Sequence, residues 1–212
     1  MHELVAYTGT VVMGFFAIMN PLANTPVFLG LTSDDDAATR KAVARNSLLL
    51  AFAIIAVFSF AGNLILEMFG ITLFSFRVAG GILVFGIGYN MLHGEQSKVH
   101  QPGTAVVAAS HEAQLSVAVS PLAVPILAGP GTIATAMNFV AERTPTHIMI
   151  TVGSFALICL ISYAFFVSGE RLIHYIGDNA VNAITKMMGL ILAVIGVQMF
   201  IEGAYDAIQS FR

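Results

Sequence analysis

Long stretches without Asp, Glu, Lys or Arg alternate along the chain with short charged clusters. Residues 4–33, 46–66, 113–141 and 144–169 are four such stretches. Each is long enough to cross a hydrocarbon core of about 30 Å at ~1.5 Å per helical residue. Two further apolar segments, Ile71–Leu92 and Ala180–Ile201, carry one basic residue each, Arg77 and Lys186. The pattern predicts an all-α integral membrane protein with six transmembrane helices. A soluble α-domain would need a polar face on each helix, and these segments are apolar all round.

The first and fourth spans depart from the pattern. FAIMNPLANTPVFLGL (Phe16–Leu31) places Pro21 and Pro26, two asparagines and a threonine inside an apolar run. Pro21 cannot donate to the carbonyl of Ala17, nor Pro26 to that of Leu22, and an interior proline costs about 3 kcal/mol. An unpaired carbonyl facing lipid adds to that, so such backbone belongs where it is buried in protein or lines a cavity. Asn followed by Pro is also a helix start, Asn as N-cap and Pro at N1. Two half-helices are therefore expected, the second beginning at Asn20 or Asn24. In the fourth span, SPLAVPILAGPGTIATAM (Ser120–Met137) carries Pro121, Pro125 and Pro130 with Gly129, Gly131 and Thr132.

These two breaks are related. Asn20-Pro21-Leu22-Ala23 matches Ser120-Pro121-Leu122-Ala123; Ala61–Gly70 matches Ser168–Gly177; Arg77–Leu83 matches Lys186–Leu192, all in one order. The chain divides into a three-helix repeat (residues 1–92), a polar linker (93–112) and a second repeat (113–212). Three spans per repeat invert the second copy in the membrane, and paired broken helices in inverted repeats point to a transporter's substrate site. Half-helix N-termini suit a carboxylate. Freed carbonyls and the oxygens of Asn20, Asn24, Thr25, Ser120 and Thr132 suit an ammonium group.

Composition narrows the classes. Of 212 residues, 57% are hydrophobic and 10% charged, and the mean hydropathy is +0.84, outside the ordinary soluble range. A net charge of −3 without a basic patch gives no ground for a nucleic-acid partner. The single cysteine, Cys159, lies mid-span. His93, His100 and His111 in the linker fit no zinc spacing, so neither a metal nor a cofactor is expected. Lys and Arg divide six (Arg40, Lys41, Arg45, Lys98, Arg171, Lys186) against three (Arg77, Arg143, Arg212), which predicts both termini outside. No acid lies near either break; Glu67, Glu142, Glu170 and Glu202 sit toward span ends. Ser120 has no histidine or acid at its depth to activate it, so enzyme chemistry is not expected. Ser59, Asn63, Asn90, Asn138, Ser154, Ser162 and Gln198 are expected to join helices by hydrogen bonds. Gly80, Gly81, Gly86 and Gly88, with Gly189 and Gly196, form close-packing faces, and Tyr7, Tyr89, Tyr175 and Tyr205 the interfacial anchors.

FAIMNPLANTPVFLGLT, SPLAVPILAGPGTIATAM and the Arg77-x-x-Gly-Gly-Ile-Leu run together resemble the MarC family of prokaryotic inner-membrane proteins, over essentially the whole chain. The resemblance implies six spans in the inner membrane and transport of small neutral amino acids such as glycine, alanine, serine or threonine. By position it implies substrate contacts at Asn20, Pro21, Asn24, Thr25, Pro26, Ser120, Pro121, Pro125, Gly129, Pro130, Gly131 and Thr132. The expected partners are a zwitterionic amino acid and the bilayer, with coupling ion and oligomeric state open. The alternatives are a passive channel or facilitator on the same breaks, or a structural or regulatory membrane protein.

Overall fold

The computed structural model describes residues 2–33, 35–94, 127–141 and 144–210. Among them every element is helical: α1 (His2–Met19), α2 (Pro21–Leu31), α3 (Ala37–Met68), α4 (Leu73–Leu92), α5 (Pro130–Phe139), α6 (Pro145–Ile176) and α7 (Asp178–Ser210). Five segments are long and apolar enough to span a membrane: α1 with α2, α3, α4, α6 and α7. The expected fourth span is described only from residue 127 on, as α5, and the linker only at His93 and Gly94.

Polarity runs inside out relative to a soluble domain. Leu49, Val57, Phe60 and Leu64 of α3, Leu160 of α6, and Leu190, Val194 and Ile201 of α7 point outward. Asn20, Asn24, Thr25, Ser47, Ser59, Thr132, Thr135, Thr151, Ser154 and Ser162 are buried. Hydrocarbon outside makes outward Leu and Phe favourable, and it drives polar atoms inward to find partners.

The helices exceed the uncharged runs because their ends are capped beyond the apolar stretch. Asp36 caps α3, its carboxylate accepting from the Thr39 N–H at 2.8 Å. Hydrogen bonds from Thr39 hold the Asp36 carboxyl below its ordinary pKa. Arg40, Lys41 and Arg45 therefore lie on the first turns of α3, and Arg171 on the last turns of α6. The α3–α4 turn closes at Gly70, and α6 passes into α7 at Gly177, both at positive φ (66° and 78°).

Two pairings organise the bundle: α4 on α7, and α3 on α6. The first is a backbone contact. A Cβ on Gly81 would lie 2.6 Å from the Gly196 carbonyl oxygen, one on Gly88 2.5 Å from that of Gly189, and one on Gly203 2.8 Å from that of Phe74. The partners run in opposite order along the two helices, so α4 and α7 are antiparallel. Glycine every seventh residue on α7 (Gly189, Gly196, Gly203) keeps one face flush with its partner. Of the other expected glycines, Gly80 receives Ala134 of α5, and Gly86 has open space around it.

The half-helices divide between the pairs: α2 packs on α6, and α5 lies against both α4 and α3. Gly169 of α6 receives Thr25 and Leu29 of α2, while Gly62 of α3 receives Met137 of α5. Phe28 of α2 stacks on Phe166 of α6 with ring centroids 4.6 Å apart. Tyr7 of α1, Asn138 and Phe139 of α5, Arg77 of α4 and Asp206 of α7 meet at one end of the bundle, which also holds the described chain ends.

Candidate functional site

The first break is one residue wide. Asn20 stands between α1 and α2 at φ 35°, ψ 70°, the one non-glycine residue with positive φ among those described. Asparagine tolerates this left-handed region better than most residues. Its N–H still donates to the Phe16 carbonyl at 2.9 Å and closes α1, while its own carbonyl accepts from the Asn24 N–H at 3.0 Å and opens α2. Its side-chain oxygen accepts from the Ala23 N–H at 3.3 Å. Of the two expected starting points, Asn20 is the cap, with Pro21 at N1.

The polar residues after Asn20 serve the break itself. Asn24 Nδ2 donates to the Met19 carbonyl at 2.6 Å, and Thr25 Oγ1 donates to the Pro21 carbonyl at 2.6 Å. Those oxygens would otherwise be desolvated without a second partner. Thr25 is fully buried against Gly169 and faces α6 rather than α5. Pro21 is buried in the first turn, whereas the Pro26 ring is exposed on the outer side of α2. Asn24→Ala should therefore act on stability. Leaving the Met19 carbonyl without its donor costs about 1–3 kcal/mol, measurable as a lowered melting temperature in detergent.

In the second half, the described helix start is Gly129–Pro130, nine positions beyond the Ser120–Pro121 sequence match. Gly129 is the N-cap, without a side-chain cap bond, and Pro130 is at N1. Gly129, Gly131 and Thr132 are buried and the Pro130 ring is exposed. Ser120, Pro121 and Pro125 lie outside the described residues. A Cβ on Gly131 would lie 2.6 Å from Ile87 Cδ1 and 3.2 Å from Ile18 Cδ1. The absence of that atom lets the start of α5 rest on α1 two residues before the Asn20 break. The start of α5 thus meets the end of α1 inside the bundle, next to the point where α2 begins.

Three side-chain groups in this region have no partner among the described residues. Asn20 Nδ2 is buried without an acceptor, on a residue 4% exposed. Thr135 Oγ1 and Ser59 Oγ are likewise buried and unpartnered. Thr135 is on α5 one turn after Gly131. Ser59 is on α3 one turn before Gly62, which packs on Met137. A threonine hydroxyl inside a helix usually bonds the carbonyl four residues back, as Thr25 does, so an unmade bond leaves a donor for something else. The sequence signal for Thr135 was its i+3 and i+4 relation to Thr132 and Gly131.

Other polar residues divide. Asn138 joins helices as expected, its side-chain oxygen accepting from Arg77 Nε at 3.0 Å. Gln198 bonds Glu202 on its own helix, whereas Ser162 donates to the Ile158 carbonyl on its own helix and also reaches Met19 Sδ of α1 at 4.0 Å. Tyr7 is a tether as well as an anchor: its hydroxyl donates to the Phe139 carbonyl at 2.6 Å and lies 3.2 Å from Thr151 Oγ1. No group of metal-binding side chains occurs among the described residues.

A family model described as MarC family integral membrane protein matches residues 5–208. The chain belongs to the MarC family. It is 40% identical to UPF0056 membrane protein YvbG of Bacillus subtilis over 205 residues, covering 94% of this chain and 96% of that one. It is 37% identical to UPF0056 membrane protein MJ1677 of Methanocaldococcus jannaschii, covering 91% and 93%. With UPF0056 inner membrane protein MarC of Escherichia coli it is 30% identical over the full length of both. No solved structure matches it. As a MarC-family chain it is an integral membrane protein, and the two proline breaks are the part of it that departs most from plain spanning helix.

Proposed function

We propose that the protein is a secondary transporter of small zwitterionic amino acids, glycine, alanine, serine and threonine among them, working by alternating access across the inner membrane. The observation that carries this reading is the unpartnered Asn20 Nδ2, buried at a one-residue break beside the start of α5. A buried donor without an acceptor is costly, and a ligand carboxylate would satisfy it. The N–H groups of the first turn of α5 add positive partial charge. Thr135 offers a hydroxyl on the Gly131 face of α5, toward α1 and α4, and Ser59 a second buried hydroxyl on α3. A solute whose own charges cancel needs no buried ion as counter-charge.

An inverted repeat fits the same observations. Pro21 and Pro130 are 109 positions apart, Leu29 and Met137 108, Gly62 and Gly169 107, and Gly70 and Gly177 107. α3 and α6 have 32 residues each. On this reading the fourth span is a half-helix pair ending in α5, the six spans form two inverted halves, and rocking of one against the other alternates access. Both termini lie outside, as the Lys/Arg split argues. The role is transport rather than catalysis.

Purified protein in lipid vesicles should take up labelled alanine or glycine saturably, with stimulation by unlabelled amino acid on the far side. Flux that neither saturates nor responds to the far side would make it a pore. Flux no greater than that of empty vesicles, under either gradient direction, would end the transport reading.

A further inference from the structure

Arg77 is a basic residue on an apolar helix, and proposed substrate binding gives it no task. Its side chain is 16% exposed, and its guanidinium makes two contacts on different helices. Nε donates to Asn138 Oδ1 near the end of α5 at 3.0 Å. Nη1 pairs with Asp206 Oδ2 near the end of α7 at 2.5 Å. Arg77 therefore ties the half-helix α5 to the α4–α7 pair, the most closely packed pair of the bundle. A second tie holds the same end of α5, the Tyr7 hydroxyl on the Phe139 carbonyl.

Among the described residues, the opposite end is built differently. Lys186 stands 109 positions after Arg77 and lies over Gly94, its Cε 4.0 Å from where a Cβ would be. Arg77 lies over Gly203 in the same way, at the other end of the pair. Yet Lys186 is exposed and makes no ion pair among the described residues. The residue of α2 that stands 108 positions before Asn138 is Gly30, which has no side chain to accept a hydrogen bond. α2 is held to α6 by apolar contact, Phe28 on Phe166 and Leu29 at Gly169.

We propose that Arg77, Asn138 and Asp206 form a one-sided latch that keeps the end of the bundle carrying the termini closed over the Asn20–Gly131 junction. The inference rests on the transport reading for its purpose but not for its test. Asp206 is 44% exposed, so water competes for the pair and the tie is weak. A gate that must release in each cycle needs that weakness. Arginine rather than lysine suits the position, because its planar fork reaches two acceptors on different helices at once.

Accessibility of a buried cysteine tests it. In a Cys159→Ala background, Thr135→Cys places a thiol at a fully buried position of α5. A membrane-impermeant maleimide is then applied to each face of vesicles whose orientation is read from a protease-sensitive terminal tag. Labelling should be slow from the face carrying the termini. Arg77→Ala and Asp206→Asn should each raise it about tenfold from that face alone, with the milder Asn138→Ala in the same direction. Unchanged labelling in folded Asp206→Asn and Asn138→Ala proteins would overturn the latch, and so would an equal rise from both faces, which is general loosening. Because labelling reads access and the vesicle assay reads flux, either result can fail without the other.

Discussion

Gly88→Leu should prevent the bundle from assembling, while Gly86→Leu, two residues away, should be tolerated. A Cβ on Gly88 would lie 2.4 Å from the Ala193 nitrogen and 2.5 Å from the Gly189 oxygen, both backbone atoms of α7. Overpacking costs about 1–3 kcal/mol where neighbouring side chains can give. Here backbone must move, and parting the helices at Gly88 also strips the contacts at Gly81, Gly189 and Gly196. The cost should therefore exceed the top of that range. Nothing lies within 4 Å of a Cβ on Gly86, so the same leucine there meets open space. Yield of monodisperse protein in detergent, with the melting temperature of whatever survives, checks the pair. Equal behaviour of the two variants would mean that the α4–α7 contact does not organise the fold.

The second large effect is expected at Asn20, and glycine separates its two roles. Asn20→Gly keeps the left-handed backbone free of strain and loses only a few tenths of a kcal/mol as a cap. It also deletes the buried Nδ2 donor. If that donor meets a substrate carboxylate, its removal forfeits about 1.5–3 kcal/mol, or about 10- to 150-fold in transport efficiency. Asn20→Ala should lose the same activity and be less stable besides, because alanine resists positive φ. Vesicle uptake measured alongside melting temperature gives both readings. A folded Asn20→Gly protein with wild-type uptake would remove Asn20 from the site and leave it a structural hinge.

Much of this was legible without coordinates because hydrophobic length and proline chemistry are local. Apolar length predicts six spans, of which five stand complete among the described residues, and Asn before Pro signals an α2 start because capping needs only neighbouring residues. Gly62 and Gly169, matched in sequence, both turned out to receive a half-helix. What the chain could not declare is who satisfies whom. Asn24 and Thr25 look like substrate ligands in a sequence, yet both donate to carbonyls at the break. Asn20, of the same composition, keeps a donor free. Arg77 looks like a stray charge until Asn138 and Asp206, far along the chain, are seen to converge on it.

The sequence by itself determined the membrane class, the family and the stretch that holds the first break, down to Asn20 or Asn24, since each depends on residue type along a short or uniform stretch. Only the tertiary structure decided which glycines touch, which polar groups are already partnered and which end of the bundle is tied. Those properties depend on the register between helices distant in sequence. Register is set by which backbone surfaces can approach, here the seven-residue glycine stripe of α7 against Gly81 and Gly88 of α4.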